Sequence, residues 1–386
     1  MTVRRCFQRF CLICLRRDYY KIMDYKHRSI LDSLPNYKQG KPAPALDGIR
    51  AYKISSNENP FEPLESVKNA ISSRALDVIN RYPNMRGTEV VEELAKKFSV
   101  TPDEVVLGCG STEVITQLVD LVAGPGDEVI YPWRSFEAYP IIVTGAGATS
   151  VKIPNRADGS HDVDAMIDAI NERTRLVILN NPNNPTSAQL SDEDARKVLD
   201  AVPSDVLVLI DEAYVQFNNA KGTADGMQLY REYPNVVVAQ TFSKAYGLAG
   251  LRIGYAIGAA DVVDGMRKVA VPFGVSQIAQ VAAIASLEPQ ALVEMRNRVD
   301  ALVKERNRVV SGLREQGWNI AEPYANFFWM PFGEDTERAN QRFVDAGLSV
   351  RAFAGEGIRI TIAETEANDR VLKICESLKK DGFSLK

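Results

Sequence analysis

Four continuous apolar runs constrain this chain most: Leu176-Val177-Ile178-Leu179, Val206-Leu207-Val208-Leu209-Ile210, Val236-Val237-Val238-Ala239 and Ile253-Gly254-Tyr255-Ala256-Ile257. A strand with one solvated face alternates apolar and polar residues. Strands without that alternation belong to sheets covered on both faces. Amphipathic stretches separate the runs, as such a sheet requires. Val105-Val106-Leu107 leads into a helical pattern from Ser111 to Val122, and Glu128-Val129-Ile130-Tyr131 into one around Phe136 to Thr144. Ser191, followed by Asp192-Glu193-Asp194, offers an N-cap before a helix over Ala195 to Val202. The expected fold class is therefore α/β. Near Pro289 the pattern changes. A long helix from Ala291 to about Leu313 precedes strands around Asn326 to Met330 and Ile358 to Ile362, which reads as a smaller α+β unit.

Composition sets bounds on function. The 386 residues allow two or three domains, and 45% apolar with 25% charged residues is ordinary for a globular protein. A net charge of −4 gives no argument for a nucleic-acid or membrane partner, and no apolar stretch is long enough to span a bilayer. Cys6, Cys11, Cys14, Cys109 and Cys375 form neither a disulfide framework nor a zinc site, and His27 and His161 sit in no triad or metal motif. A cytoplasmic, reduced setting is expected. The first residues stand apart: Arg4, Arg5, Arg9, Arg16, Arg17 and Lys21 face only Asp18. The apolar run Phe10–Leu15 is too short for a secretory core, so this segment reads as a disordered basic extension or as the product of an early start, with Met23 as the true one, in preference to a transit peptide.

Several strand ends carry chemistry. Lys244 follows the Val236–Ala239 strand within Thr241-Phe242-Ser243-Lys244, and Arg252 comes shortly after. An amine at a strand end among hydroxyls and a guanidinium suits pyridoxal 5'-phosphate, which needs a Schiff-base partner and a phosphate cradle. Asp211 closes the Val206–Ile210 strand, where it can pair with a pyridinium nitrogen or simply cap a helix; Tyr214 can donate to the ring oxygen. Asn184 lies in Asn180-Asn181-Pro182-Asn183-Asn184-Pro185-Thr186, a turn outside a strand's C-terminal end that is either a ligand contact or an ordinary turn. Gly108-Cys109-Gly110-Ser111-Thr112 joins strand to helix and can present backbone N–H groups to an anion, or serve only as a capped turn. Arg359 alternates with Ile358 and Ile360, so it either clamps a carboxylate or is a solvated edge residue.

Taken in order, these residues resemble the aspartate-aminotransferase superfamily over roughly residues 30–380. Ser56-Asn57-Glu58-Asn59-Pro60, Arg81-Tyr82-Pro83, Asn183-Asn184-Pro185-Thr186 and Ser243-Lys244 through Arg252 resemble its histidinol-phosphate aminotransferase branch. Trp133-Arg134-Ser135-Phe136-Glu137-Ala138-Tyr139-Pro140 and Val350-Arg351-Ala352-Phe353-Ala354-Gly355-Glu356-Gly357 are similar to actinobacterial aromatic (phenylalanine) aminotransferases. One departure is Ser187, where the family usually has glycine; serine disfavours positive φ, which questions the loop geometry.

The resemblance implies a large cofactor domain over 57–288, with a mostly parallel seven-stranded sheet between helices. It also implies a small α+β domain over 289–386, an N-terminal segment over 30–56 packing with it, and a basic extension over 1–29. It implies Lys244 as the Schiff-base lysine and general base. Asp211 would sit at the pyridine nitrogen, with Asn184 and Tyr214 at the ring oxygen. Gly110, Ser111, Thr112, Thr241, Ser243 and Arg252 would lie around the phosphate, and Phe136 would stack on the ring. Tyr82 would reach the cofactor phosphate of a second subunit in a homodimer. Tyr37, Asn59, Asn184, Arg351, Phe353 and Arg359 would contact substrate, with Arg359 on the α-carboxylate. The implied reaction exchanges an amino group between aromatic amino acids and 2-oxoglutarate. Histidinol-phosphate transamination is the nearest rival, because Arg351 and Arg359 could both bind a phosphate. A non-catalytic cofactor-binding regulator is a third reading, although no helix-turn-helix pattern precedes the domain.

Overall fold

The computed structural model describes residues 26–34, 36–37, 40, 42 and 47–386. The basic segment before Met23 lies outside the described residues. Residues 36–386 pack as one unit.

A short strand, β1 (Tyr52–Lys53), comes first. Seven strands then build one sheet: β2 (Val105–Gly108), β3 (Glu128–Trp133), β4 (Thr149–Pro154), β5 (Thr174–Asn180), β6 (Leu207–Asp211), β7 (Val236–Thr241) and β8 (Gly254–Ile257). They lie in the order β2-β8-β7-β6-β5-β3-β4. β8 alone runs against its neighbours; every other pairing is parallel. The apolar runs behave as expected. Val177, Leu179, Val208, Ile210, Val236 and Val238 are buried against one layer. Leu176, Ile178, Leu209, Val237 and Ala239, which alternate with them, are buried against the other. Both faces of the central strands β5, β6 and β7 are dry, so their polar residues are confined to the strand ends.

The helix Ser111–Val122 coincides with the expected one, and the helix expected around Phe136 to Thr144 runs over Ala138–Ala146. Ser191 caps its helix through a bond from the Asp194 N–H at 3.0 Å. That helix spans Asp192–Ala201, because the acidic residues after the cap form its first turn. The long helix runs from Pro289 to Glu315. After it, β9 (Phe327–Met330), β11 (Arg351–Phe353) and β12 (Gly357–Thr361) form an antiparallel sheet in the order β11-β12-β9. The two-residue β10 (Leu348–Ser349) pairs in parallel with β1. Sequence reasoning did not anticipate β1, β4, β10 or β11. β4 is an edge strand with mostly part-exposed or exposed positions, and the others are two or three residues long, too short to show a period.

Ser187 does adopt φ of 63°. Its hydroxyl oxygen accepts hydrogen bonds from the backbone N–H of Tyr324 (3.0 Å) and Ala325 (2.8 Å). These bonds offset the left-handed backbone, and glycine could not make them. Tyr324 keeps a second acceptor in the Ser187 carbonyl at 2.9 Å, whereas Ala325 is fully buried. Ser187→Ala should therefore strand the Ala325 N–H and lower unfolding stability by about 1–3 kcal/mol. Chemical denaturation should detect this as a lower midpoint.

Candidate active site

The polar residues gather where the parallel strands end, the usual ligand crevice of an open α/β sheet. Asp211 is the last residue of β6, Lys244 lies three residues past β7, Asn184 follows β5, and Ser111 begins the helix after β2. Together they surround an open cavity. Its walls carry Tyr37, Ser111, Thr112, Phe136, Asn184, Asp211, Tyr214, Thr241, Ser243, Lys244 and Arg252, all singled out in the sequence. Ser56, Glu58 and Asn180 line it too.

Lys244 Nζ donates to the Ser56 carbonyl at 3.1 Å and lies 5.6 Å from the centre of the Tyr214 ring. Burial, with the positive fields of Arg359, Arg252 and Lys53 outweighing Glu58, brings its pKa down to about 7. Asp211 moves the other way. Burial raises its carboxyl to about 6, opposed by a hydrogen bond from Tyr139 to Oδ2 at 2.6 Å. Its Oδ1 is buried with no hydrogen-bond partner among the described residues. Tyr214, also buried, has its hydroxyl pushed up to about 12 by burial, and its oxygen accepts the Asn57 side-chain N–H at 2.9 Å. Asn57 is itself held through its backbone N–H and side chain by Thr361 of β12, both at 3.0 Å.

Two guanidiniums, Arg252 in the cavity wall and Arg359 buried behind Asn184, have no carboxylate partner among the described residues. Arg252 donates to Ser243 Oγ (3.3 Å), to the Ala249 carbonyl (2.9 Å) and to the Cys109 carbonyl (3.3 Å). Gly110, at φ of 79°, packs against it so closely that a Cβ would sit 2.5 Å from Nη2. The adjoining helix Ser111–Val122 has no side-chain cap; the Glu113 N–H bonds the Gly110 carbonyl at 3.2 Å, and the first turn still points its N–H end at this space. Arg359 is buried, donating to Asn184 Oδ1 and to the Ser55 carbonyl, both at 2.6 Å, while its Nε has no partner. The half-satisfied Asp211, the capless helix beside Arg252 and the low-pKa amine form a donor and acceptor set that fits pyridoxal phosphate.

The remaining expected residues take other places. Asn59 donates to the carbonyls of Lys244 (3.4 Å) and Ala245 (3.1 Å), so it shapes the lysine's backbone. Phe353 is buried behind Arg134 and Arg351, which stack over its ring at 5.0 and 5.4 Å. Arg351 is paired with Glu137. Tyr82 is 84% exposed and stacks on Phe273 at 4.8 Å, outside this cavity's walls. Sequence reasoning passed over Tyr139, Asn57 and Glu137, which lie inside segments it singled out. Only the fold brings them to Asp211, Tyr214 and Arg351. No group of three metal-ligating side chains occurs among the described residues, and no helix among them is long and apolar enough to cross a membrane.

This arrangement of strand ends, amine and carboxylate agrees with comparison to known proteins. The aminotransferase class I and II family profile matches residues 51–376, and the chain belongs to that family. An aromatic amino acid aminotransferase from Streptomyces avermitilis is 51% identical over 356 residues, covering 92% of this chain and 98% of its own. One from Cutibacterium acnes is 48% identical over 351 residues, covering 91% and 98%. Among solved structures, histidinol-phosphate aminotransferase from Sinorhizobium meliloti in complex with pyridoxal-5'-phosphate superposes with a TM-score of 0.82 at 26% identity, covering 92% of this chain and 99% of its own.

The low proton affinity of Lys244 is directly testable without cofactor. In apo protein, acylation of Lys244 by acetic anhydride, followed by peptide mass spectrometry, should rise with a midpoint near pH 7. Exposed lysines should keep gaining reactivity up to about pH 10. A Lys244 midpoint near 10 would mean that burial and the two arginines do not destabilise its charge.

Proposed function

We propose that this aminotransferase uses pyridoxal 5'-phosphate to move amino groups between aromatic amino acids and 2-oxoglutarate. The observation that carries the reading is the placing of a low-pKa amine in the fields of two guanidiniums that lack carboxylate partners, beside a half-satisfied aspartate. Two anions are called for there, and a cofactor phosphate and a substrate carboxylate supply them. When bound, the cofactor provides an aldehyde for the amine and a ring that draws electrons from the substrate's α-carbon.

The chain's own residues divide the work. Arg252, Ser111, Thr112, Thr241 and Ser243 hold the phosphate, with Gly110 leaving room for the guanidinium. Asp211, with Tyr139 engaging one oxygen, offers the other to the pyridine nitrogen and keeps that nitrogen protonated. Asn184 has its carbonyl oxygen engaged by Arg359, which leaves its NH2 group, together with the Tyr214 hydroxyl, for the ring oxygen. Phe136 packs edge-on to Tyr139 at 5.5 Å and presents an apolar wall to the ring. Arg359 retains its Nε–H for a carboxylate. The Lys244 amine would take the proton from the substrate α-carbon; a pKa near the working pH suits a group that must both accept and return it. The aromatic assignment is supported by the names of the relatives and by the aromatic lining from Phe136 and Tyr37. The histidinol-phosphate alternative is favoured by one observation: Arg351 stands directly opposite Arg359.

Reduction of the purified, visibly coloured holoenzyme with borohydride should attach the cofactor to a single peptide, the one containing Lys244. Lys244→Ala should lower transamination of phenylalanine by several orders of magnitude, because partner and base vanish together. Label on another lysine, or near-normal turnover by the variant, would sink the assignment.

The working unit in this reading is a homodimer. Leu76, Ile79, Tyr82, Met85, Val271 and Phe273 are all exposed, an apolar surface suited to a second copy. Tyr82 would then serve the partner's cofactor phosphate. Mixing Tyr82→Phe with Lys244→Ala subunits creates one site bearing both defects and one bearing neither. At limiting cofactor, the mixture should be more active than either parent. No gain after confirmed subunit exchange would remove Tyr82 from the shared site.

A further inference from the structure

Arg351 and Arg359 are directly opposed across β11 and β12. Opposed residues of an antiparallel pair share a face of the sheet, and like charges so placed repel. The structure treats the two cations differently. Arg359 is held by neutral oxygens of Asn184 and Ser55 and keeps its full charge. Arg351 instead donates from both Nε (3.1 Å) and Nη2 to Glu137 Oε2. The pair is largely withdrawn from water, its side chains only 11% and 24% exposed. Glu137 directly follows Phe136, a cavity residue. Its field, with those of Arg359 and Arg351, acts on the hydroxyl of Tyr37, another cavity residue. The third arginine here, Arg134, stacks on the same Phe353 ring as Arg351 and is also neutralised, by Glu356. Of these three arginines, only Arg359 makes no ion pair with a carboxylate among the described residues; it feels Glu137 only as a minor field.

Resting on the aminotransferase reading above, we infer that Glu137 determines substrate class: by occupying Arg351 it leaves one guanidinium for the substrate's anionic end, which suits an amino acid carboxylate and selects against a phosphate monoester. A carboxylate carries one negative charge. A phosphate monoester carries about −1.5 to −2 near neutral pH and has three acceptor oxygens, so it calls for both arginines. To obtain the second, it must displace Glu137 from Arg351. That displacement leaves a partly buried carboxylate unpaired beside a dianion, an arrangement that both desolvation and repulsion oppose. Glu137 acts here through Arg351 and does not itself touch the reacting atoms.

Glu137→Gln removes the charge while keeping the side chain's size. The measurement is kcat/KM of the holoenzyme for histidinol phosphate and for phenylalanine on the same preparation, so that the ratio cancels any loss of folded protein. The ratio of histidinol phosphate to phenylalanine should rise at least tenfold over wild type in Glu137→Gln. Adding Arg351→Gln should return it towards the wild-type value, because the gain depends on a freed guanidinium. A ratio within twofold of wild type overturns the inference, and so does a gain that survives the loss of Arg351. Titration calorimetry of Lys244→Ala protein, with and without Glu137→Gln, should show the ratio of affinities for the same two ligands shifting in the same direction without turnover. Failure of wild type to transaminate either substrate would thus reject the proposed function while the Glu137 result still stands or falls by itself.

Discussion

Burial of the central sheet on both faces is the constraint from which the site follows. Residues such as Val177 and Ile178 point to opposite layers and are both dry, so no polar side chain is accommodated along the middle of the central strands. Polar chemistry is displaced to the strand ends. There the backbone turns away and side chains from separate connections meet. Asp211, Asn184, Ser111 and Lys244 lie far apart in the chain, yet each stands a few residues past an apolar run. They share one cavity because parallel strands end on the same side.

Within that cavity the electrostatics are built from imbalance. A lysine in low-dielectric surroundings loses affinity for its proton, and an aspartate there gains it; both shifts are seen, with burial the largest cause of each. The two guanidiniums without carboxylates add to the effect on the lysine and create seats for anions. Elsewhere around the cavity, positive charges are met by carboxylates: Lys53 by Glu58, Arg134 by Glu356 and Arg351 by Glu137. The unmet charges are therefore a feature of position, and they mark where negatively charged groups are to bind.

A set of neutral or partly neutral neighbours keeps the charged groups in place. Tyr139 ties one oxygen of Asp211, Asn57 ties the Tyr214 hydroxyl to Thr361, and Asn59 ties the backbone at Lys244. Ser187 supports the Asn-Pro turn by bonding the segment before β9, so the turn carrying Asn184 is linked to the sheet carrying Arg359. Each of these ties spans a long stretch of sequence. Those through Asn57 and Ser187 connect the strand-end side of the cavity with the elements built after Pro289.

The α/β architecture could be read from the sequence because continuous apolar strands have only one stable setting, a covered sheet. The ordered residues Gly110, Asp211, Lys244 and Arg252 were legible for a related reason: each abuts a recognisable strand, and their chemistry matches one cofactor. The short strands β1, β10 and β11 were not legible, since two or three residues carry no period. The pairing of Arg351 with Glu137, the anchoring of Asp211 by Tyr139 and the left-handed Ser187 were also hidden. Sequence by itself determined which residue types stand at the strand ends and hence what cofactor chemistry they can serve. Only the tertiary structure decided which charges are cancelled and which are left over, because partners more than two hundred residues apart, such as Glu137 and Arg351, meet only after the chain has folded.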